Sequence, residues 1–333
     1  MIPRYKAVIT TIKRLSPTVI ELAIARPDGN TFPEFLPGQY ATLSFPMQHR
    51  IRGARSFSIV SAPTDLSDWR FGIRMHGSYT RAMSRLQAGD PVFVTGPFGQ
   101  FTFDPVRDRS AVFIAGGIGV TPFLSMIKTA TDLKLDNDLT LVYSVRSMDD
   151  APYMQELDSW QQKNSRLTVV YAVSDGAVPD SLDRRVPGRI TADVLSKAVP
   201  GGIGSRSVFL CGPPPFMKAM TGHLVGLGLP KGLIRTERFG VGSQEFIERG
   251  TPIPKLVFVG WGVAAAVLFG VIFRSEQKKR ADTAALPVDA SQTVPATTGQ
   301  MPDNQQTPTV SVPPPETAQP LPVQQTRPRT MMS

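Results

Sequence analysis

The chain has 333 residues, 36 Lys+Arg against 27 Asp+Glu, a formal net charge of +9 and 41% hydrophobic residues, enough for about two domains with sizeable cores. A single cysteine, Cys211, excludes an intrachain disulfide framework and any in-chain metal or iron–sulfur centre built on several thiolates. The three histidines, His49, His76 and His223, lack the spacing of an HExxH metal motif.

Residues 1–105 alternate short β-rich stretches with turn residues. Strands are expected at Tyr5–Leu15, Val19–Ala25, Tyr40–Phe45, Ser56–Ser61, Phe71–Met75 and Pro91–Thr95, with Pro37-Gly38 and Gly89-Asp90 among the breaks. Six strands at this spacing predict a small antiparallel barrel. Within it, Arg55-Ser56-Phe57-Ser58 combines a cation, an aromatic face and hydroxyls on one strand. Arg55 and Phe57 share a face at alternate positions, and they suit a phosphate and a flat heterocycle respectively. Gly77-Ser78-Tyr79-Thr80 opens a helix after the Met75 strand end and offers backbone N–H groups to an anion. Each motif alone also fits an ordinary strand or cap.

From residue 106 to about 242 the rhythm becomes strand–helix. Strands are expected at Ala111–Ala115, Leu139–Tyr143, Leu167–Ala172, Ser207–Cys211 and Ile234–Phe239, with helices at Pro122–Thr131, Ala151–Asn164 and Pro215–Leu227. That is the pattern of a parallel, doubly wound α/β domain. Its first strand runs into Gly116-Gly117-Ile118-Gly119-Val120-Thr121-Pro122 and a helix, a turn whose glycines let a backbone approach a pyrophosphate. The spacing departs from GxGxxG, so a plain tight turn stays open. The fourth strand ends in Cys211-Gly212-Pro213-Pro214-Pro215-Phe216-Met217, at the strand ends where open α/β sheets bind ligands. A lone cysteine on an apolar strand is otherwise an inert core residue. Arg146, after the second strand, suits a 2′-phosphate, whereas Asp149 and Asp150 would oppose one if they pointed inward.

Ile253–Phe273 is uncharged beyond Lys255 and spans about 31 Å as a helix, enough for a bilayer core, with Arg274, Lys278, Lys279 and Arg280 behind it. A single-pass transmembrane helix is expected, the alternative being a buried helix of a soluble domain. Gly262, Ala266 and Gly270 form a small-residue face compatible with a helix-mediated homodimer. The N-terminal stretch shows no secretory h-region, which puts the catalytic part in the cytoplasm; the basic cluster after the helix argues for the opposite orientation. Residues 281–333 hold ten of the 31 prolines, no aromatic residue and a net charge of −2, and read as a disordered tail. The preceding 280 residues therefore carry +11.

Taken together, PGQY (Pro37–Tyr40), RSFS (Arg55–Ser58), GSYT (Gly77–Thr80), GPFG (Gly96–Gly99), GGIGVTP, CGPPPFM and ERFG (Glu237–Gly240) closely resemble the ferredoxin–NADP reductase superfamily over residues 1–242. The resemblance implies an FAD-binding barrel, 1–105, followed by an NAD(P)-binding domain, 106–242, in an FAD-dependent NAD(P)H oxidoreductase. It implies that Arg55 binds FAD phosphate, Phe57 packs on the isoalloxazine in place of the usual tyrosine, and Ser58 hydrogen-bonds near N5. Ser56 and Met75 belong to the same flavin site, and Gly77 and Thr80 to its pyrophosphate. Gly117, Gly119, Thr121 and Pro122 would cradle the nicotinamide cofactor's diphosphate, with Arg146 leaning the choice toward NADPH. Cys211 would lie beside the nicotinamide, with Gly212, Pro213 and Met217 shaping that pocket. Glu237 and Phe239 match strand-end residues near the flavin. Ser58, Cys211 and Glu237 are the expected catalytic residues; no metal and no nucleic acid are expected. With one cysteine in the chain, the electron acceptor must be a separate molecule: a membrane-bound cytochrome-type protein, an acidic ferredoxin-type carrier or a small diffusible flavin or ferric chelate. A non-catalytic scaffold whose anchor and proline-rich tail recruit partners is the reading of another class.

Overall fold

The computed structural model of the protein describes residues 3–46, 51–65, 67–175, 185–199 and 201–238. Phe239, the apolar segment 253–273 and the tail 281–333 lie outside the described residues. Among the described residues no helix is long and apolar enough to cross a membrane.

The first half is an antiparallel sheet of β1 (Arg4–Ser16), β2 (Val19–Ala25), β3 (Tyr40–Ser44), β4 (Ala54–Ser58), β5 (Trp69–Arg74) and β6 (Pro91–Phe98), with helix α1 (Gly77–Met83) before the last strand. The order is β4-β3-β6-β1-β2-β5. Its two edge strands share no ladder. Beyond the end of β4, the Val60 N–H donates to the Arg70 carbonyl at 2.8 Å, and Ser61 Oγ accepts from the Arg70 N–H at 2.8 Å, so the sheet curls toward a barrel. Ile20, Leu22, Ile24, Leu43, Phe71, Ile73 and Val94 fill its interior around Trp69, which stacks on Phe32 at 4.6 Å. β2 is buried along nearly its whole length because both faces are covered, so apolar residues stand on both faces and only Glu21 interrupts them.

The second half is a parallel sheet of β7 (Ser110–Gly116), β8 (Asp138–Val145), β9 (Leu167–Val173), β10 (Arg185–Pro187), β11 (Ser207–Cys211) and β12 (Ile234–Glu237), ordered β10-β9-β8-β7-β11-β12. Helices α2 (Thr121–Asp132) and α3 (Met154–Lys163) cover one face, and α4 (Ala192–Ala198) and α5 (Pro214–Gly226) the other. β10 and α4 are absent from the sequence-based expectation. The three-residue β10 is too short to show a period, while α4 carries a start signal in Thr191, whose hydroxyl accepts from the Val194 N–H at 3.2 Å.

The halves meet along β2 and β5. Gly72 on β5 leaves room for Tyr153 and Thr121: a Cβ there would lie 2.6 Å from the Tyr153 hydroxyl and 2.8 Å from Thr121 Cγ2. Beside it, Arg70 bridges the buried Glu21 on β2 at 2.7 Å and Glu156 on α3 at 2.9 Å. Asp150 completes the seam, accepting from Ser16 Oγ at 2.8 Å, Thr18 Oγ1 at 2.5 Å and Arg74 at 2.9 Å.

Candidate active site

In the second sheet the strand order reverses between β7 and β11, and the crevice outside their carboxyl ends is where doubly wound sheets take ligands. The end of β7 is Gly116, and the chain then turns through one 3₁₀ turn, Gly117–Val120, into α2. Gly117 sits in the left-handed region at φ +55°. A Cβ on Gly119 would lie 2.6 Å from the Cys211 carbonyl carbon and 2.8 Å from Gly212 Cα, so the loop rests on the end of β11 with no space for a side chain. Thr121 is buried and donates its hydroxyl to the Ile118 carbonyl at 3.0 Å, closing the turn from inside, and Pro122 stands in the first turn of α2. Phe216, not anticipated from the sequence, lays its ring 2.7 Å from where a Cβ would stand on either Gly116 or Gly212, while Met217 is buried in the core on the α4–α5 side. Pro213 is the N-cap of α5.

At the same strand ends the three expected catalytic residues come together. Cys211 and Glu237 are register partners on β11 and β12, and Ser58, at the end of β4 in the other half, points its hydroxyl at Glu237 Oε2 at 3.5 Å. Ser58 is 2% exposed and Cys211 0%. Burial pushes the Glu237 carboxyl up to about 8, the Ser58 hydroxyl pulling weakly the other way. Burial, with the neighbouring Glu237 charge, also raises the Cys211 thiol well above its ordinary value, so it is a neutral, soft surface and not a thiolate. Tyr40 belongs to this group although only its place in PGQY hinted at it. It is the register partner of Ser58, and burial and the Glu237 charge raise its phenol.

The remaining residues of the first half line the sheet leading to that point. Ser56 Oγ lies 3.0 Å from Thr42 Oγ1, on the Ser58 side of β4. On the opposite side, the half-buried Phe57 packs on the barrel core, and the exposed Arg55 guanidinium stands 5.0 Å over the Tyr79 ring. Met75 is partly buried against the same core. Gly77 starts α1 at φ +79°, and the Thr80 hydroxyl is engaged with His76, accepting from its N–H at 2.7 Å and donating to its carbonyl at 2.6 Å. Arg74 links the two halves: it pairs with Asp150, and its guanidinium lies 3.4 Å from where a Gly117 Cβ would be. Asp150 is therefore turned into the seam. Arg146 is 79% exposed at the end of β8, 3.4 Å from Asp175.

These residues suit cofactor binding at the carboxyl ends of the strands. The Gly119 backbone rests on the end of β11 and the Phe216 ring packs on Gly116 and Gly212, so backbone and not side chains lines these strand ends, where a buried hydroxyl and thiol meet the half-buried Glu237 carboxyl. A curled antiparallel sheet joined to a doubly wound sheet, with glycine turns at the strand ends where they meet, is the architecture of two-domain flavin–nicotinamide oxidoreductases. Residues 6–103 match the family model for the oxidoreductase FAD-binding domain, and residues 113–222 that for the oxidoreductase NAD-binding domain. The chain belongs to the ferredoxin–NADP reductase-like family of FAD-dependent NAD(P)H oxidoreductases.

Among its relatives, NADH-cytochrome b5 reductase 1 of Cryptococcus neoformans is 35% identical over 163 residues, covering 46% of this chain and 54% of the relative. The toluate 1,2-dioxygenase electron transfer component of Pseudomonas putida is 28% identical over 246 residues, 72% of this chain and 68% of the relative. A solved flavohemoglobin from Malassezia yamatoensis with bound FAD and heme superposes with a TM-score of 0.61 at 27% identity, over 72% of this chain and 61% of that one. The chain thus spans little more than half the length of several curated relatives it matches.

Proposed function

We propose that this protein takes electrons from NAD(P)H through FAD and passes them to a separate redox protein. The observation that carries the reading is the meeting of Ser58, Cys211 and Glu237, drawn from both halves, at the point where the parallel sheet reverses its order. When bound, the flavin supplies the exchange between two-electron hydride chemistry and single-electron transfer. The chain's own residues position and protect. Arg55, Gly77 and Thr80, with Met75 beside them, would hold the flavin's phosphate side, and Phe57 and Ser58, with Ser56 on the Ser58 side of β4, its ring. Gly117, Gly119, Thr121 and Pro122 would hold the nicotinamide cofactor's diphosphate, while Gly212, Pro213 and Phe216 border the ring pocket. Glu237, raised to about 8, holds a proton in neutral solution, its Oε2 within reach of the Ser58 hydroxyl. Cys211 excludes water there without competing as a nucleophile.

We take 1–105 and 106–242 as the domain limits and a separate acceptor as the partner, a reading supported by relatives that are reductase components of oxygenase systems. In the same proposal 253–273 anchors the chain in lipid with its catalytic part cytoplasmic, and the acceptor is membrane-bound or acidic. Within it, NADPH is the slightly favoured donor, Arg146 offering a cation to a 2′-phosphate, and the holding of Asp150 in the seam supports this. The test is the full chain purified in detergent. It should carry FAD absorbance that anaerobic NADPH bleaches faster than NADH, and pass electrons on when membrane and soluble acceptors are screened. A colourless protein would overturn the reading.

A further inference from the structure

We infer that Asp108 and Arg235 are positioning residues: the fork of Arg235 on the buried Asp108 sets the height of β12 and so holds Glu237 against Ser58 and Cys211. β12 needs such a fixture. It is a four-residue edge strand with one ladder partner, β11, and it carries Glu237 as its last residue. The Ser58–Glu237 contact, at 3.5 Å, is at the long end for a hydrogen bond and cannot itself fix the strand.

The fixture is at the opposite end of the strand. The Asp108 carboxylate, 0% exposed, accepts from Arg235 Nη1 at 2.9 Å and Nη2 at 2.7 Å, from Ser207 Oγ at 2.7 Å and from the Asp104 N–H at 2.9 Å. These donors, with the exposed Arg107 guanidinium at 3.4 Å, hold its carboxyl below the ordinary range despite burial. One carboxylate thereby ties the residues just before β7 to the first residue of β11 and to β12. The Arg235 guanidinium also lies 4.6 Å over the Phe209 ring of β11.

Arg235 and Glu237 alternate on β12 and so share a face, about 7 Å apart along the strand. Phe209 and Cys211 oppose them in register on β11. A planar fork on one carboxylate allows one height and one rotation of the strand, which a lone ammonium would not. A buried ion pair adds little stability over apolar packing of the same volume, so its use here is register. The groups that Glu237 then meets are Ser58 of β4, Tyr40 of β3 and Cys211 of β11.

The inference rests on the proposed function for its kinetic readout but not for its structural one, because Cys211 is the only thiol in the chain. The test compares the full chain with the paired variant Asp108→Asn plus Arg235→Gln, which leaves no unpaired buried charge, and with Arg235→Lys, which keeps the charge and loses the fork. Alkylation of Cys211 by iodoacetamide in the native protein should rise about tenfold in the paired variant and less in Arg235→Lys, with far-UV circular dichroism and FAD content unchanged. The pH midpoint of flavin reduction assigned to Glu237 should fall toward the ordinary carboxylate range. Variants that alkylate at the parental rate and keep its pH midpoint would overturn the inference. A parent that binds FAD but is not reduced by NAD(P)H would overturn the proposed function, and the alkylation rates would still decide the role of the fork.

Discussion

Replacing Glu237 by glutamine keeps the side chain's volume and an acceptor for Ser58 while removing the ionisable proton. In the folded protein this carboxyl is raised from the usual 4.5 to about 8. A carboxylic acid raised on folding favours the native state below its unfolded value, and that contribution is lost as pH climbs through the folded one. The reason is that the unfolded chain has released a proton the native chain still holds. The parent should therefore lose stability between about pH 4.5 and 8, at up to ~1.4 kcal/mol per pH unit. Between pH 5.5 and 7.5 the slope alone gives ~2.7 kcal/mol, and partial exposure of the carboxyl cuts this to about 1.5–2.5 kcal/mol. Glu237→Gln has no such slope. Its advantage over the parent should grow by that amount across the window, equivalent to about 4–8 °C in Tm for a unit of this size. The assay is urea unfolding of flavin-free parent and variant at pH 5.5 and 7.5, with thermal melts as a second measure. A stability difference that stays the same at both pH values would refute the reasoning and place Glu237 in solvent.

Three further outcomes follow from the same geometry. Gly119→Ala forces the loop off the end of β11, so KM for NAD(P)H should rise at least about tenfold while FAD stays bound, read by steady-state kinetics and flavin absorbance. Cys211→Ala should slow anaerobic flavin reduction about three- to tenfold in stopped flow without loss of FAD, and an unchanged rate would make the thiol a packing residue only. Asp150→Ala strips acceptors from Ser16, Thr18 and Arg74 at once and should cost about 2–4 kcal/mol in urea unfolding, against under about 0.5 kcal/mol if the seam is solvated in solution.

How much of this was legible in the residues depended on whether a signal was local. Strands with a period or a clear punctuation were found nearly to the residue: Val19–Ala25 and Ser207–Cys211 coincide with β2 and β11. β4 begins two residues earlier than expected, at Ala54, and ends at Ser58: the Ile59 N–H still donates to its in-register partner, the Gln39 carbonyl, and Val60 then turns to the Arg70 carbonyl. The Gly117 and Gly119 turn and the Cys211 strand end were visible as motifs, and the structure brings them together. What no local pattern could show is contact between distant segments. Arg74 reads as an ordinary residue of the Phe71–Met75 strand, yet it reaches both Asp150 and the Gly117 turn. Asp150 reads as a carboxylate that would oppose a nucleotide phosphate, whereas its partners are Ser16 and Thr18, more than 130 positions away. Phe216 sat in plain view inside CGPPPFM, but which of Phe216 and Met217 would face the crevice depends on how α5 is rolled against the sheet, and only packing decides that.

The tight fit at Gly72 has a consequence for how such a molecule can change. The spacing between its halves is set by the missing side chain of one strand residue against Tyr153 and Thr121, so neither half can be altered there alone. A chimera that joins this barrel to the nucleotide domain of a relative would inherit a mismatched gap unless both sides of that contact travelled together. Hybrids cut between β6 and β7 should therefore recover electron transfer only when residues 72, 121 and 153 come from the same parent.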